Sequence, residues 1–222
     1  MARSLSPVFL EHRTVLFEPG QMVDSVEFPR NCVVSLVTPL HEGAIVEVAT
    51  IGNEGIVGVP QVTAGSSVRA IVSVAGWADR ISASAFREEV ERDDGPLRDL
   101  VGDYLQALFA QVAQAGACNR LHSNEERLSR WLLMSSDRVG TEVFAITHEF
   151  LAEMLGSRRA TVTLSAGILQ AAGFIEYHRG RVTILDRRGL EAAACECYGV
   201  IEAELDGVVQ RAWRRSSPTS AR

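Results

Sequence analysis

The chain has 222 residues, 46% of them hydrophobic and 23% charged, and a formal net charge of −6. This is enough chain for two modest domains with hydrophobic cores, and the composition is ordinary for a globular protein. No stretch approaches the roughly 18 consecutive apolar residues of a membrane helix, and the N-terminus lacks the apolar core of a secretory signal. We therefore expect a cytoplasmic protein that does not enter the membrane.

Short apolar runs separated by turns fill residues 14–82. The runs are 15–17, 26–28, 32–37, 44–49, 67–74 and 77–81. Strands at this spacing indicate a β-sandwich or β-barrel. Ser82 is placed to cap a short helix over residues 83–89 that closes this first domain.

A long helix is predicted from Pro96 to about His122. Its apolar residues recur at alternating three- and four-residue steps, which is a heptad-like pattern. They are Leu97, Val101, Tyr104, Leu105, Leu108, Val112 and Ala115. This seam can pack on the chain's own barrel or on a second copy. The length of the helix favours the second copy, so we predict a homodimer whose interface contains Leu97, Val101, Tyr104, Leu108, Val112 and Ala115.

Ser123 and Glu126 have the spacing of a capping box, which predicts that a new helix starts there and runs through Ser135. Its apolar residues Leu128, Trp131 and Leu132 are expected to face the C-terminal domain. The boundary between the two halves of the chain is therefore expected between residues 121 and 123.

Residues 147–173 have the spacing of two short helices packed across a tight turn. Thr147 is a plausible N-cap, Gly156 can adopt the left-handed backbone of the turn, and Ala152 is small enough for close approach of the helices. The apolar stripes are Phe150, Leu151 and Leu155, followed by Val162, Ala166 and Leu169. This predicts a helix-turn-helix, although an ordinary helical hairpin with a solvated arginine pair would show the same stripes.

Two alternating runs, 174–177 and 181–185, flank His178, Arg179 and Gly180 and predict a β-hairpin with a basic tip. Together with the preceding helices, the hairpin would make a winged helix. Between residues 144 and 188, six arginines outnumber four acidic residues, although the whole chain is acidic. Such a local basic excess is expected of a phosphate-binding face. All 22 basic residues are arginine, so any phosphate contact would be made by a guanidinium.

The segments ITHEFLAEMLG, SRRATVT and LQAAGFIEYHRGRVTILD resemble, in this order, the C-terminal winged helix of the CRP/FNR family of bacterial transcription regulators. The preceding residues are similar to the sensor half of that family, so the likeness covers nearly the whole chain. It implies an α+β protein with an N-terminal jelly-roll β-barrel of the cyclic-nucleotide-binding type, a long dimerisation helix and a C-terminal winged helix-turn-helix.

The resemblance also implies that the second helix, 158–172, inserts into the major groove of double-stranded DNA. Arg159 corresponds to a base-contacting arginine of the family, and Arg158, pointing about 100 degrees away, is better placed for phosphate. The predicted DNA-binding residues are Thr147, Ser157, Arg158, Arg159, Thr161, Thr163, Leu164, Arg179 and Arg181. Leu164 could meet a thymine methyl group or belong to the core. Because Ala160, Thr163 and Leu164 stand where the family often has a glutamate and a Ser-Arg pair, the family's usual operator is not expected.

The glycine-rich segment 52–58 occupies the place where receptors of this family hold a cyclic nucleotide. Those receptors have a glutamate directly after the glycine, whereas here Ile56 follows Gly55, and their phosphate arginine has no counterpart in residues 64–67. Burying a phosphate without a charged partner would be costly. We therefore predict no cofactor, no cyclic AMP binding and an unknown effector, with a candidate pocket of Gly55, Ile56, Val57, Gly58 and Arg69.

The four cysteines, at positions 32, 118, 195 and 197, match neither a disulfide framework nor a four-thiolate zinc site. Family members with an iron–sulfur cluster use N-terminal cysteines, and only Cys32 lies there. In a continuous helix Cys195 and Cys197 would point about 200 degrees apart, which favours inert thiols over a metal or redox pair. The histidines, at 12, 41, 122, 148 and 178, are scattered. We therefore predict no metal site.

The chain also lacks the motifs of a nucleophilic serine or a Walker-type phosphate loop, and it has no histidine–carboxylate cluster on the predicted strands. We therefore predict that the protein is not an enzyme.

We predict a sensor domain over residues 1–95, a dimerisation helix over 96–122, a winged-helix DNA-binding domain over 123–209 and a flexible tail over 210–222. In this interpretation Asp186 caps a final helix that runs to about Val209. The predicted function is that of a homodimeric regulator that binds an inverted-repeat operator through residues 158–172, with RNA polymerase as a partner if it is an activator. The alternative is a cyclic-nucleotide-sensing or protein-interaction module whose winged helix does not bind DNA.

Overall fold

The computed structural model describes residues 5–40, 43–59, 67–92 and 96–216. Two antiparallel sheets form its N-terminal half. The first has the order β1–β7–β3, and the second has the order β2–β6–β4–β5. The strands are β1, Ser6–Leu10; β2, Val15–Phe17; β3, Ser25–Pro29; β4, Val33–Pro39; β5, Ile45–Ile51; β6, Arg69–Val74; and β7, Gly76–Ser82.

The sheets pack through apolar side chains that alternate along each strand, among them Phe17, Val26, Val34, Val72 and Ile81. The predicted α+β class with a jelly-roll-like sensor is confirmed. The barrel is not closed, however, because no strand ladder connects the two sheets within the described residues.

Helix α1, Ala83–Glu91, follows the last strand, and the Ser82 hydroxyl accepts a hydrogen bond from the Ala85 amide as predicted. Helix α2, Pro96–Leu121, is 26 residues long. Helix α3, Asn124–Val139, begins with the predicted capping box between Ser123 and Glu126. It runs four residues beyond the predicted end at Ser135 and stops at Gly140, whose φ of 72° ends the helix in the left-handed conformation. None of the described helices is long and apolar enough to cross a membrane.

Helices α4, His148–Met154, and α5, Arg159–Ala171, form the helix-turn-helix. The wing consists of β9, Ile175–His178, and β10, Arg181–Ile184, and a further strand, β8 at Val143–Ala145, pairs with β10. Strand β8 was not predicted, because three residues are too short for a recognisable alternation.

The last part of the chain differs from the prediction. Asp186 caps a helix as expected, but this helix, α6, ends at Ala193, and a separate helix, α7, spans Cys197–Ser216. The backbone of Ala194 is extended, which breaks the helix. Helix α7 also continues past Val209, because Val208 is buried against the sensor and Arg211 lies 3.4 Å from Asp103 of α2.

The residues predicted to form the dimer seam are also placed differently from the prediction. Within a single chain Val101, Tyr104, Leu108 and Ala115 are already buried. The Tyr104 hydroxyl donates a hydrogen bond to the Ile56 carbonyl over 3.1 Å. These four residues therefore face the chain's own sheet and helix α7. Leu97 is half-buried, and Val112, which lies on the same side of α2 as Val101 and Leu108, is nevertheless exposed. The heptad-like spacing correctly indicated an apolar face but not what covers it.

A single apolar core joins the sensor to the winged helix. Trp131 and Leu128 of α3 pack with Val33, Val37 and Val74 of the sensor strands as well as with α4 and α5. Two buried polar contacts cross the same boundary. The Trp131 indole donates to the Glu47 carboxylate over 3.1 Å, and the Arg138 guanidinium contacts Glu54 over 2.6 Å. The two halves of the chain are therefore packed as one unit.

Candidate nucleic-acid interface

The turn between α4 and α5 forms as the sequence predicts. The Thr147 hydroxyl accepts a hydrogen bond from the Phe150 amide over 3.2 Å and so caps α4. Gly156 has a φ of 57°, a conformation that favours glycine and reverses the chain within a few residues. The Ser157 amide then bonds the Ala152 carbonyl over 3.0 Å, which closes the turn.

Helix α5 begins with two arginines on its leading edge. Arg158 occupies the N-cap position, but its side chain makes no capping hydrogen bond, and of the first three helix amides only that of Thr161 bonds back, to the Arg158 carbonyl over 2.9 Å. The Arg159 side chain is 70% exposed and lies 3.5 Å from the similarly accessible Glu149. An exposed ion pair of this kind stabilises by less than about 1 kcal/mol, so Arg159 can leave it at little cost.

The outward face of α5 continues with apolar residues. Leu164 is 65% exposed, and Ile168, one turn further on, is exposed as well. The two possibilities that the sequence left open for Leu164 are thus resolved in favour of the surface. Ile168 was missed, although its spacing from Leu164 and its offset from the buried stripe of Val162, Ala166 and Leu169 could have revealed it.

Three of the predicted contact residues, Thr163, Ser157 and Thr161, offer less to DNA than expected. The Thr163 hydroxyl donates to the Arg159 carbonyl over 3.0 Å and lies 3.1 Å from Nδ1 of His148. Burial, aided by the nearby Arg159, lowers the pKa of His148, so its ring is neutral at pH 7. The Ser157 hydroxyl is buried and faces the interior. Thr161 is half-buried. The accessible guanidiniums and the apolar face of α5 are therefore the parts that remain free for DNA.

The wing is anchored next to the turn and carries two exposed arginines. Arg179 adopts a φ of 48° at the tip, and Arg181 is exposed on β10. The Tyr177 hydroxyl donates to the Ile146 carbonyl, and the Ile146 amide donates to Gly180 over 2.8 Å. These bonds hold the wing against the start of α4.

Not every arginine of the basic segment contributes to this face. Arg187 contacts Asp137 over 2.5 Å, Glu191 over 2.9 Å and the Tyr198 hydroxyl over 2.8 Å. It is a structural residue that ties α6 to α3 and α7. The arginines that α5 and the wing themselves present are Arg158, Arg159, Arg179 and Arg181.

A cleft of about 750 Å³ separates the leading edge of α5 from the sensor. Its walls include Arg158 and Arg159 on one side and Arg69 on the other. Arg13 bridges the cleft by an ion pair with Glu153 over 2.9 Å and lies 5.1 Å from the centre of the Phe150 ring. Glu149 and Glu153 of α4 also line the cleft, so α5 and the sensor meet at a cleft of mixed charge with an excess of arginines.

The predicted effector pocket is not assembled in the predicted form. Ile56 and Val57 are buried in the sensor core, and Val57 bonds the backbone of Glu27. Gly55 allows close packing, since a Cβ there would lie 2.7 Å from the Ile51 side chain. Gly58 allows a turn, since it has a φ of 95°. Arg69 forms an ion pair with Glu18 over 2.8 Å at the cleft described above. Residues 64–66 of the segment compared with the phosphate site lie outside the described residues.

A second departure concerns the cysteines and histidines. The structure gathers Cys118, His122, Cys195 and Cys197 into one group whose ligand atoms all lie within 4.8 Å of one another. The prediction that Cys195 and Cys197 are inert thiols rested on a continuous helix through both residues. Because that helix is broken at Ala194, the two side chains are not held about 200 degrees apart.

A capped helix, a tight turn, a second helix led by arginines and an anchored basic hairpin define a winged helix-turn-helix protein. Residues 126–193 match a family model described as the Crp-like helix-turn-helix domain. No relative was found among curated proteins.

Solved structures show the same fold over most of the chain. A CRP-family transcriptional regulator from Thermus thermophilus is 18% identical with a TM-score of 0.68, and the match covers 84% of this chain and 96% of the other. A CRP/FNR-family regulator from Eubacterium rectale is 19% identical with a TM-score of 0.66, over 86% and 90% of the two chains. The c-di-GMP-responsive regulator CLP of Xanthomonas campestris is 16% identical with a TM-score of 0.62, over 82% and 94%.

Residues 126–193 thus match the Crp-like helix-turn-helix domain, and the chain as a whole has the fold of CRP/FNR transcription regulators. The resemblance seen in the sequence is thereby confirmed.

Proposed function

We propose that the protein is a cytoplasmic, sequence-specific transcription regulator that binds double-stranded DNA through α5. The observation that carries this proposal is the leading edge of α5, where Arg158 and the 70% exposed Arg159 precede the exposed apolar residues Leu164 and Ile168. Guanidiniums bind phosphates and the edges of guanine bases, and apolar side chains contact thymine methyl groups. The wing arginines, Arg179 and Arg181, lie on the same domain and would contact the flanking phosphates.

The two arginines of α5 are expected to have different roles. Arg159→Ala should cost about 1–3 kcal/mol of binding free energy and relax the preference at about one base pair per half-site, because a bidentate contact to guanine is lost. Arg158→Ala should weaken binding to all DNA sequences alike, because a phosphate contact is lost. The slope of log affinity against log salt concentration should fall in magnitude by about one per subunit. Selection of bound fragments from a random DNA library, followed by salt titrations of the selected site, measures both.

Arg30→Ala is a suitable control, since Arg30 is exposed on the sensor and pairs with Asp79. It should leave both affinity and base preference unchanged. Unchanged preference in Arg159→Ala together with lost preference in Arg158→Ala would mean that the register of the helix is wrong. Binding of DNA without a steep salt dependence, or none at all, would favour the alternative of a protein-interaction module.

We also propose that the active form is a symmetric dimer, with an interface on the exposed side of α2. This side carries Phe109, which is 68% exposed, together with Val112 and two glycines, Gly102 and Gly116, where an added Cβ would meet no other group within 4 Å. Small residues beside an exposed aromatic ring allow two helices to approach closely. A two-fold axis along this face would present two α5 helices to an inverted repeat with half-sites about 34 Å apart.

Phe109→Asp is expected to dissociate the dimer without unfolding the chain, because it places two like charges in an apolar contact but leaves the monomer core intact. Sedimentation equilibrium measures the change. Phe9→Asp is a matched control, since Phe9 is an exposed aromatic residue of β1 in the sensor. A Phe109→Asp variant that remains as dimeric as the parent would remove this face from the interface.

The effector is proposed to be something other than cyclic AMP. Ile56 is buried where the receptors of the family have a ribose-binding glutamate, and the preceding Glu54 already contacts Arg138 and the Gly52 amide. The Glu54 carboxylate is therefore already engaged through Oε1, and its Oε2 is buried. Should the dimer act as an activator, RNA polymerase would be its further partner.

A further inference from the structure

The last turn of α2 and the break between α6 and α7 converge on one buried group of ligands. Cys118 and His122 are four residues apart at the end of α2, so their side chains lie on the same face. Cys195 lies in the break and Cys197 begins α7. The Sγ atoms of Cys118 and Cys195 are 3.5 Å apart, and Sγ of Cys197 is 3.5 Å from Nδ1 of His122.

We propose that these four residues bind one Zn²⁺ ion in a tetrahedral site with three thiolates and one imidazole. Zn–S bonds of about 2.3 Å and Zn–N bonds of about 2.0–2.1 Å, at tetrahedral angles, place sulfur atoms about 3.8 Å apart and sulfur and nitrogen about 3.6 Å apart. The observed separations of 3.5 Å fall close to both values. An iron–sulfur cluster inserts several atoms between its thiolates and needs them farther apart.

The partners of the ligands are those that a zinc site requires. Nε2 of His122 lies 3.2 Å from the Glu196 carboxylate, which leaves Nδ1 directed at Cys197. A carboxylate on the outer nitrogen of a metal-bound histidine orients the ring and strengthens the ligand. The Gln114 amide donates to Sγ of Cys197 over 3.0 Å, which supports a thiolate at that position.

The charge around the site also fits an anionic metal complex. Three thiolates and one Zn²⁺ leave a net charge of about −1 on the complex. The side chains of Arg127 and Arg130 are buried nearby on α3, and Nε of each has no hydrogen-bond partner among the described residues. Two buried cations are costly, and the one buried carboxyl near both of them, that of Glu47, can balance only one charge, so an anionic complex beside them would compensate the other.

The position of the site gives it a structural consequence. It joins the C-terminal end of α2 to the link between α6 and α7, next to the point where α3 begins. Zn²⁺ there would hold the winged helix at a defined angle to the long helix. All three cysteines are buried, so the ion would be shielded from solvent, as in structural zinc sites with four protein ligands.

Metal analysis of the full-length protein, purified without chelator, tests the proposal. About one Zn²⁺ per chain is expected in the parent, and near zero in Cys118→Ser and in Cys197→Ser, because serine does not replace a thiolate ligand. Cys32→Ser is the matched control, since Cys32 is equally buried but lies in the sensor core away from the site. It should retain the full zinc content.

A second measurement does not depend on the variants folding. The parent is stripped with a chelator, Zn²⁺ is added back, and the thermal midpoint is followed; an increase is expected, because the ion binds only the folded site. Co²⁺ in place of Zn²⁺ should give the visible absorption of a tetrahedral thiolate complex. A parent that neither contains Zn²⁺ nor is stabilised by it would overturn the proposal. So would iron and sulfide in anaerobically purified protein, or a Cys118–Cys195 disulfide as the sole state of these thiols.

Discussion

Arg138→Ala is expected to destabilise the protein by about 3–5 kcal/mol, because it removes one partner of a buried ion pair and leaves the other uncompensated. Nε of Arg138 lies 2.6 Å from the Glu54 carboxylate, and a second guanidinium nitrogen bonds the Thr50 hydroxyl. The stem of Arg138 also fills the space above Gly52, where a Cβ would lie only 2.3 Å from it. Urea unfolding of the parent and the variant measures the loss.

Arg211→Ala serves as the control for Arg138→Ala. Arg211 also connects the two halves of the chain, but its side chain is largely accessible and its contact with Asp103 is 3.4 Å long. Its loss should cost less than about 1 kcal/mol. Combining Arg138→Met with Glu54→Gln should recover part of the stability lost in Arg138→Ala, because no unpaired charge remains. Equal losses in Arg138→Ala and Arg211→Ala would show that the buried pair does not stabilise the boundary.

Trp131→Ala is expected to cost about 3–5 kcal/mol, since it empties the largest fully buried side-chain site of the core. The same change removes the indole donor that contacts Glu47 over 3.1 Å. Glu47 is buried, and burial raises the pKa of its carboxyl, while hydrogen bonds from Ser35 and Trp131 act in the opposite direction. Chemical unfolding measures the loss.

Two other substitutions separate the causes of the Trp131→Ala effect. Trp131→Phe retains most of the volume but not the donor, so it should be less destabilising than Trp131→Ala. Trp213→Ala is the matched control, because Trp213 is 75% exposed near the end of α7 and should change stability by less than about 0.5 kcal/mol. If Trp131→Ala were as mild as Trp213→Ala, the core shared by the sensor and the winged helix would not be cooperative.

Both expected effects concern the boundary between the sensor and the winged helix. Trp131 and Arg138 project from α3 of the winged helix onto Glu47 and Glu54 of the sensor. A shift of the backbone in β5 or in the turn after it would therefore move groups that α3 contacts directly. In the proposed regulator, a conformational change of the sensor could reach α5 through this boundary and through the Arg13–Glu153 ion pair across the cleft.

The elements with strong local signals were predicted well. The caps at Ser82, Ser123, Thr147 and Asp186 form as expected, since each satisfies backbone amides within three residues of itself. Gly156 adopts the left-handed conformation that its place between two apolar stripes requires. Such features depend on neighbours along the chain, which a sequence contains explicitly.

The predicted interaction sites were less complete, because they depend on residues that are distant in sequence. The spacing of Val101, Tyr104 and Leu108 shows that one face of α2 is apolar, but the same spacing suits a sheet and a second copy of the chain. Likewise, Cys118 and Cys195 of the proposed zinc site are separated by 76 intervening residues, so no motif spacing connects them.

By itself, the sequence determined the strands of the N-terminal half, the long helix, the helix-turn-helix with its wing, and the basic leading edge of α5. These follow from side-chain periodicity, capping and backbone conformation, which act over a few residues. The tertiary structure alone decided that Leu164 faces outward, that Arg138 and Trp131 lock α3 to the sensor, and that three cysteines and a histidine meet. Those outcomes depend on how helices and sheets pack, because a side chain acquires a distant partner only when the elements between them have folded against each other.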